Sequence, residues 1–226
     1  PFEIQANQIS EAMKENNGKL VVKGVLQRAD TKNQNGRVYP REILTREAKK
    51  YFENFIGQKR AMGELDHPES SVVNLANVSH NITEMNWNGD DLIGTVEVLP
   101  TPSGNILKEL FKSGIRLGIS SRGMGSVESV NESGAQEVQD DFELIAFDFV
   151  SNPSTHGAFM YPMNEGIDNN VAVRDTKYGK VEAVINDIIE DYKNLKELGI
   201  KAVAICSNDS INYPDDSFEK MKEFYK

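Results

Sequence analysis

A single carboxylate stands inside the strongest strand signature of the chain. Residues 142–150 read Phe-Glu-Leu-Ile-Ala-Phe-Asp-Phe-Val and are closed by Ser151-Asn152-Pro153-Ser154. Asp148 interrupts the apolar part of that run, where burying a carboxylate costs free energy unless it is paired. Two arrangements satisfy the run. Strand alternation allows residue 148 to face solvent on the polar side of an edge strand. Otherwise the strand is buried, and the fold must bring a partner to Asp148, for which His67 is the candidate.

The pattern on either side of this run is rich in strands. Residues 19–28 read as a strand, residues 31–36 (Thr-Lys-Asn-Gln-Asn-Gly) as a turn-rich loop, and residues 8–17 as a short helix. Pro40 opens a helix over 40–55, in which Ile43, Leu44, Ala48, Tyr51, Phe52 and Phe55 recur at helical spacing. A polar loop around His67 leads to a strand pair, 76–87 and 91–99, joined at Asn88-Gly89-Asp90. Residues 103–113 read as a helix with Ser103 as cap and Gly114 as stop. Residues 131–140 read as a polar loop.

After Gly166 the pattern changes. Residues 181–197 carry a helical period, 200–206 a buried-strand run, and 215–226 a helix capped by Asp215 or Asp216, which together are α/β in character. The expected boundary falls within 164–172, giving a first domain over 1–166 and a C-terminal α/β segment over 167–226.

Charge and composition exclude several classes. The formal net charge of −10 across 226 residues repels a phosphate backbone, so no nucleic-acid partner is expected. No apolar run approaches the ~20 residues of a membrane-spanning helix, and residues 1–10 lack the basic and apolar regions of a signal peptide, so no membrane partner is expected. One cysteine, Cys206, allows neither an internal disulfide nor a cysteine-based zinc site, and a reducing compartment such as the cytoplasm fits. Neither a metal nor a cofactor is expected.

Three histidines, His67, His80 and His156, are the candidates for general-base chemistry near neutral pH. Ser120 lies in Gly118-Ile119-Ser120-Ser121-Arg122-Gly123, where small neighbours let a substrate backbone approach a hydroxyl and Gly123 lets amides turn toward an oxyanion. The segment is not a G-x-S-x-G elbow, because Arg122 occupies the second position after Ser120. By itself it also fits an ordinary turn between strands. An acid is needed to hold the imidazole in one tautomer, and Asp148 is the candidate.

Four segments in order resemble the T4-type prohead core proteases of tailed phages. They are Asn35-Gly36-Arg37-Val38-Tyr39-Pro40, Gly63-Glu64-Leu65-Asp66-His67-Pro68, Gly118-Ile119-Ser120-Ser121-Arg122-Gly123, and Phe147-Asp148-Phe149-Val150 with Asn152-Pro153-Ser154. The resemblance spans about residues 18–163. It implies an α+β fold like that of the herpesvirus assemblins, a mainly antiparallel β-barrel with surrounding helices. It also implies a serine endopeptidase inside the prohead, in the host cytoplasm, acting on scaffold and capsid proteins, often after glutamate, and then on itself. Carried over, His67 is the base and Ser120 the nucleophile. Asp148 is the best match for the third member, with His80 as its rival. Ser121, Arg122 and Gly123 shape the oxyanion and substrate site, and the Arg122 guanidinium is an alternative holder for an acidic substrate side chain. Glu165, at the expected boundary, is a candidate self-cleavage position, and a homo-oligomer is expected.

Residues 181–226 resemble instead an interior piece of a peroxiredoxin-like, thioredoxin-fold protein. A thiol-redox protein acting through Cys206 and a non-enzymatic capsid scaffold are therefore the competing classes.

Overall fold

The computed structural model describes residues 6–130 and 134–163. The boundary within 164–172, Glu165, Cys206 and the C-terminal segment lie outside them. The amphipathic helix α1 (Ala6–Glu15) precedes β1 (Val21–Arg28). A two-residue strand β2 (Arg37–Val38) leads into α2 (Arg41–Tyr51), which Pro40 starts. The expected helix over 40–55 changes its winding near its end. Residues Phe52–Ile56 form a π-helical turn, with the Gly57 amide donating to the Phe52 carbonyl at 2.8 Å. Next come β3 (Met62–Glu64), β4 (Val78–Asn88) and β5 (Asp91–Val98), the last two joined at Gly89, whose φ of 59° needs glycine.

The cap of helix α3 (Pro102–Lys112) lies two residues before the one expected at Ser103. The Thr101 hydroxyl caps it, accepting from the Gly104 amide at 3.0 Å, and Pro102 fills the first turn, where a missing N–H costs nothing. The remaining strands are β6 (Gly118–Met124), β7 (Val127–Ser129), β8 (Gln136–Val138), β9 (Glu143–Val150) and β10 (Met160–Pro162). β8 corrects the loop expected over 131–140. Pairing with β2 and β7 recruits a segment whose own composition is too polar to announce a strand.

The strands form a five-stranded sheet in the order β10-β1-β5-β4-β3, a three-stranded sheet β2-β8-β7, and the pair β6-β9. All pairings are antiparallel except β2 with β8. The mainly antiparallel character expected is present, but no closed ladder is found among the described residues. The five-stranded sheet and the β6-β9 pair meet instead at two isolated bridges, Leu65 with Phe149 and Gly118 with Phe159.

One apolar core joins these layers. Val22, Leu26, Ile82 and Val96 face it from the large sheet, Leu44 and Tyr51 from α2, Leu107 and Phe111 from α3, and Phe147 and Phe149 from β9. Glu47 ties α2 to β9, accepting from the Leu144 amide at 3.2 Å while its other oxygen takes Lys50 and Arg46. Burial pushes its pKa up, and these donors outweigh burial, leaving it below the usual carboxylate range.

Phe111 is fully buried and meets Phe149 edge-to-face with ring centroids 5.8 Å apart. Phe111→Ala is expected to lower stability by about 3–5 kcal/mol. Urea denaturation should show this as a lower midpoint with an unchanged slope.

Candidate active site

The backbone on either side of His67 is stitched to β9. The Asp66 amide donates to the Phe149 carbonyl at 2.9 Å, and the Glu64 amide donates to Asp148 Oδ1 at 3.0 Å. Asp66 takes a left-handed φ of 70°, a conformation aspartate tolerates better than most residues, and its Oδ1 accepts from the His67 amide at 2.9 Å. The turn thereby carries the imidazole back over the strand that holds Asp148. Gly63 makes this approach possible. A Cβ there would stand 2.0 Å from the Phe147 carbonyl oxygen and 2.4 Å from His80 Nε2.

Asp148 is fully buried, so the solvent-facing arrangement is overturned. His67 Nδ1 lies 3.0 Å from Asp148 Oδ2, at charge-contact distance without hydrogen-bond alignment, and the His67 side chain retains 39% of its exposure. Ser120 on β6 is the direct cross-strand partner of Asp148. Partners in an antiparallel pair project from the same face with Cβ atoms about 5 Å apart. Pairing register thus sets Ser120 beside the carboxylate that His67 contacts. The Ser120 hydroxyl hydrogen-bonds Ser154 Oγ at 3.3 Å, and among the described residues no hydrogen bond joins it to His67.

The neighbouring positions divide by strand alternation. Ser121 faces the other side of β6, where its hydroxyl accepts from Gln27 Nε2 at 2.7 Å. Gln27 in turn accepts from the Thr155 hydroxyl and from the Arg28 amide. Arg122 shares the Ser120 face, but its guanidinium turns inward and is 5% exposed. It donates to Ser70 O at 2.7 Å, to Glu64 Oε1 at 3.0 Å and to Asp148 Oδ1 at 3.1 Å, and its Nε lies 2.9 Å from Asp148 Oδ2 at charge-contact distance, without hydrogen-bond alignment. These protein acceptors occupy the group that was the alternative holder for a substrate carboxylate. Gly123 is exposed, and a Cβ there would meet a Phe142 ring carbon at 2.4 Å and the Glu143 carbonyl at 2.7 Å.

The ladder also orients the backbone. The Ile119 amide donates away from β9, to Ala158 O at 2.9 Å, and the Phe147 carbonyl turns from β6 to meet His80 Nε2 at 2.8 Å. Alternation then points the Arg122 amide at β9 and the Ser121 amide outward. The Leu144 amide, opposite Gly123, also turns away toward Glu47, which leaves the Gly123 amide on the outer edge with that of Ser121.

His80 lies apart from His67 contacts. It is fully buried, with Nδ1 2.8 Å from Ser79 Oγ and Nε2 on the Phe147 carbonyl. Burial pulls its pKa down to about 4, against the Phe147 contact and the Asp148 charge, which favour the cation. It is a neutral packing histidine near pH 7. His156 is buried, and its carbonyl accepts from Arg28 Nη1 at 3.2 Å. Glu64 and Ser154 sit inside segments singled out in the sequence but carried no expected role there. The one available signal was Arg122, a cation in an otherwise uncharged stretch, which once buried requires carboxylates nearby.

The sheets thus set a serine opposite a buried aspartate that a histidine contacts. The model of the prohead core protein serine proteases matches residues 3–170. The prohead core protein protease of Enterobacteria phage T4 is 33% identical over 160 residues, covering 70% of this chain and 74% of that protein. The structure of the bacteriophage T4 capsid assembly protease, gp21, is similar with a TM-score of 0.58 and 32% identity, over 60% of this chain and 84% of that one. The chain belongs to the prohead core protein serine protease family, and is a protease of the phage prohead.

His80 makes stability depend on pH. The folded ring titrates near 4 and a free histidine near 6.5, so the unfolded chain takes up the proton first as the pH falls. His80 therefore contributes stability that is complete above about pH 6.5 and lost on the way down through pH 4, on the order of 3 kcal/mol in all. Urea midpoints measured between pH 7 and 4 should fall less steeply in His80→Gln than in the wild type.

Proposed function

We propose that this chain is a serine endopeptidase that processes scaffold and capsid proteins inside the prohead, with Ser120 as nucleophile, His67 as base and Asp148 as the acid that orients His67. The observation that carries this reading is His67 Nδ1 at 3.0 Å from Asp148 Oδ2, with Ser120 directly opposite Asp148 on the paired strand. Turned into line with Asp148 Oδ2, an Nδ1–H would be held there and would leave Nε2 as the free base. The Ser120 hydroxyl rotates from Ser154 toward Nε2, loses its proton there and attacks the scissile carbonyl. The Ser121 and Gly123 amides, on the outer edge of β6, would donate to the oxyanion. His67 then gives the proton to the leaving amine, and water releases the acyl-enzyme by the same steps.

One finer reading has support. The bridges Leu65–Phe149 and Gly118–Phe159 link β3 to β9 and β6 to the approach of β10, so the strand order runs round a seven-membered ring. That path favours the assemblin-like barrel, pinched at two seams. Cleavage after an acidic residue rests on the family resemblance. Glu165 would be such a position within this chain, and a homo-oligomer would present two copies of the site to the packed substrate.

Incubation with a scaffold protein, read by intact mass, tests the assignment. The wild type should cleave after glutamate or aspartate. Ser120→Ala and His67→Ala should lose at least about 10³-fold in rate, and Asp148→Asn a comparable factor. Cleavage by Ser120→Ala at the wild-type rate would remove Ser120 from the mechanism.

A further inference from the structure

The acid that contacts His67 is also held by a cation. Arg122 reaches Asp148 at two points, Nη2 to Oδ1 at 3.1 Å and Nε to Oδ2 at 2.9 Å. A guanidinium this close, in a site where Asp148 is fully buried, cancels most of the carboxylate charge seen from His67. A neutralised acid would orient the imidazole but do little to stabilise its charged form. The structure contains a second carboxylate that alters this balance. Glu64 is 1% exposed, and its Oε1 accepts from Arg122 Nη2 at 3.0 Å and from the Asn74 amide at 3.0 Å. Its Oε2 is buried with no hydrogen-bond partner among the described residues.

Taking the proposed function as its basis, we infer that Glu64 is a positioning residue that offsets the charge of Arg122, leaving Asp148 a full negative charge for the His67 imidazolium formed during acyl transfer. Asp148, Glu64 and Arg122 together carry one net negative charge, and the cluster becomes neutral only when His67 is protonated. The other ionisable groups near it do not disturb this count. His80 is neutral, with its pKa near 4, and burial, with the Asp148 charge adding, raises that of the Tyr51 phenol, which stays neutral. Asp66, beside His67, is exposed to water and screened. Glu64 acts through Arg122 and Asp148 and touches no reacting atom. Because its amide also donates to Asp148 and its carboxylate holds the Asn74 amide, it fixes both ends of the loop that carries His67.

Glu64→Gln keeps the shape and an acceptor while removing the charge. The acid limb of the kcat/KM profile should then move to lower pH by about one unit, because an opposite charge near an ionising group shifts it by about 1–3 units. Plateau kcat should fall roughly three- to tenfold, with KM unchanged. The double variant Glu64→Gln/Arg122→Met removes both charges, and its acid limb should return toward the wild-type position.

Titration of the His67 ring by NMR in the Ser120→Ala protein, assigned with His67→Gln, reads the same shift without catalysis. An unmoved His67 midpoint in folded Glu64→Gln, or a double variant that stays shifted, overturns the inference. If no variant or wild type cleaves substrate yet the midpoint moves as expected, the charge balance stands and the protease assignment of Ser120 falls. If Glu64→Gln does not fold, the double variant decides by the same titration. A midpoint near that of the wild type supports the inference, and a displaced one overturns it.

Discussion

The contact between Arg122 and the two buried carboxylates Asp148 and Glu64 is the interaction on which the site depends. Each of the three is at most 5% exposed, and removing any such charge from water costs several kcal/mol unless its partners are well aligned. The alignment comes from three separate strands. β9 supplies Asp148, β6 supplies Arg122, and β3 supplies Glu64 together with the backbone amide that donates to Asp148. Breaking the cluster would leave a buried charge uncompensated, so the charges lock these strands in one register. That register also places Ser120 opposite Asp148 and sets His67 over it.

The surrounding packing supports that register without chemistry of its own. His80 fills the space between β4 and β9 as a neutral ring, held by Ser79 and the Phe147 carbonyl and packed edge-to-face on Phe149 at 4.7 Å. Gly63 is small because the same carbonyl and ring leave no room for a Cβ. On the far side, the Gln27 chain of hydrogen bonds pins Ser121 and Thr155. The two adjacent serines thus part in role. One is tied down on the scaffold face, and the other stands beside the acid with its hydroxyl on Ser154.

Much of the local structure was legible. The Gly89 turn, the strands at 19–28 and 142–150, and the start of α2 at Pro40 all follow from periodicity and turn chemistry, which are local properties. The errors share a cause. β8 looks like a loop in sequence because its residues are polar and its strand character comes from β2 and β7. Ser103 has the composition of a helix cap, but Thr101, held against the Val78 carbonyl, has the right backbone. At the site, the sequence around Arg122 points to its backbone and to a substrate carboxylate, while its partners are a strand residue 58 positions away and another 26 away.

The amino-acid sequence by itself determined which residues were available: a serine among small neighbours, a histidine in a polar turn, and an aspartate in an apolar strand. It could not determine whether Asp148 faced water or the interior, because period-two alternation allows either until the strand acquires neighbours on both sides. Tertiary structure decided that by pairing β9 with β6 and bridging it to the Leu65 turn. It also decided that Arg122 faces inward and that Glu64 belongs to the site. Both outcomes depend on charges brought together across long stretches of chain, where the cost of burial is met only by the complete set.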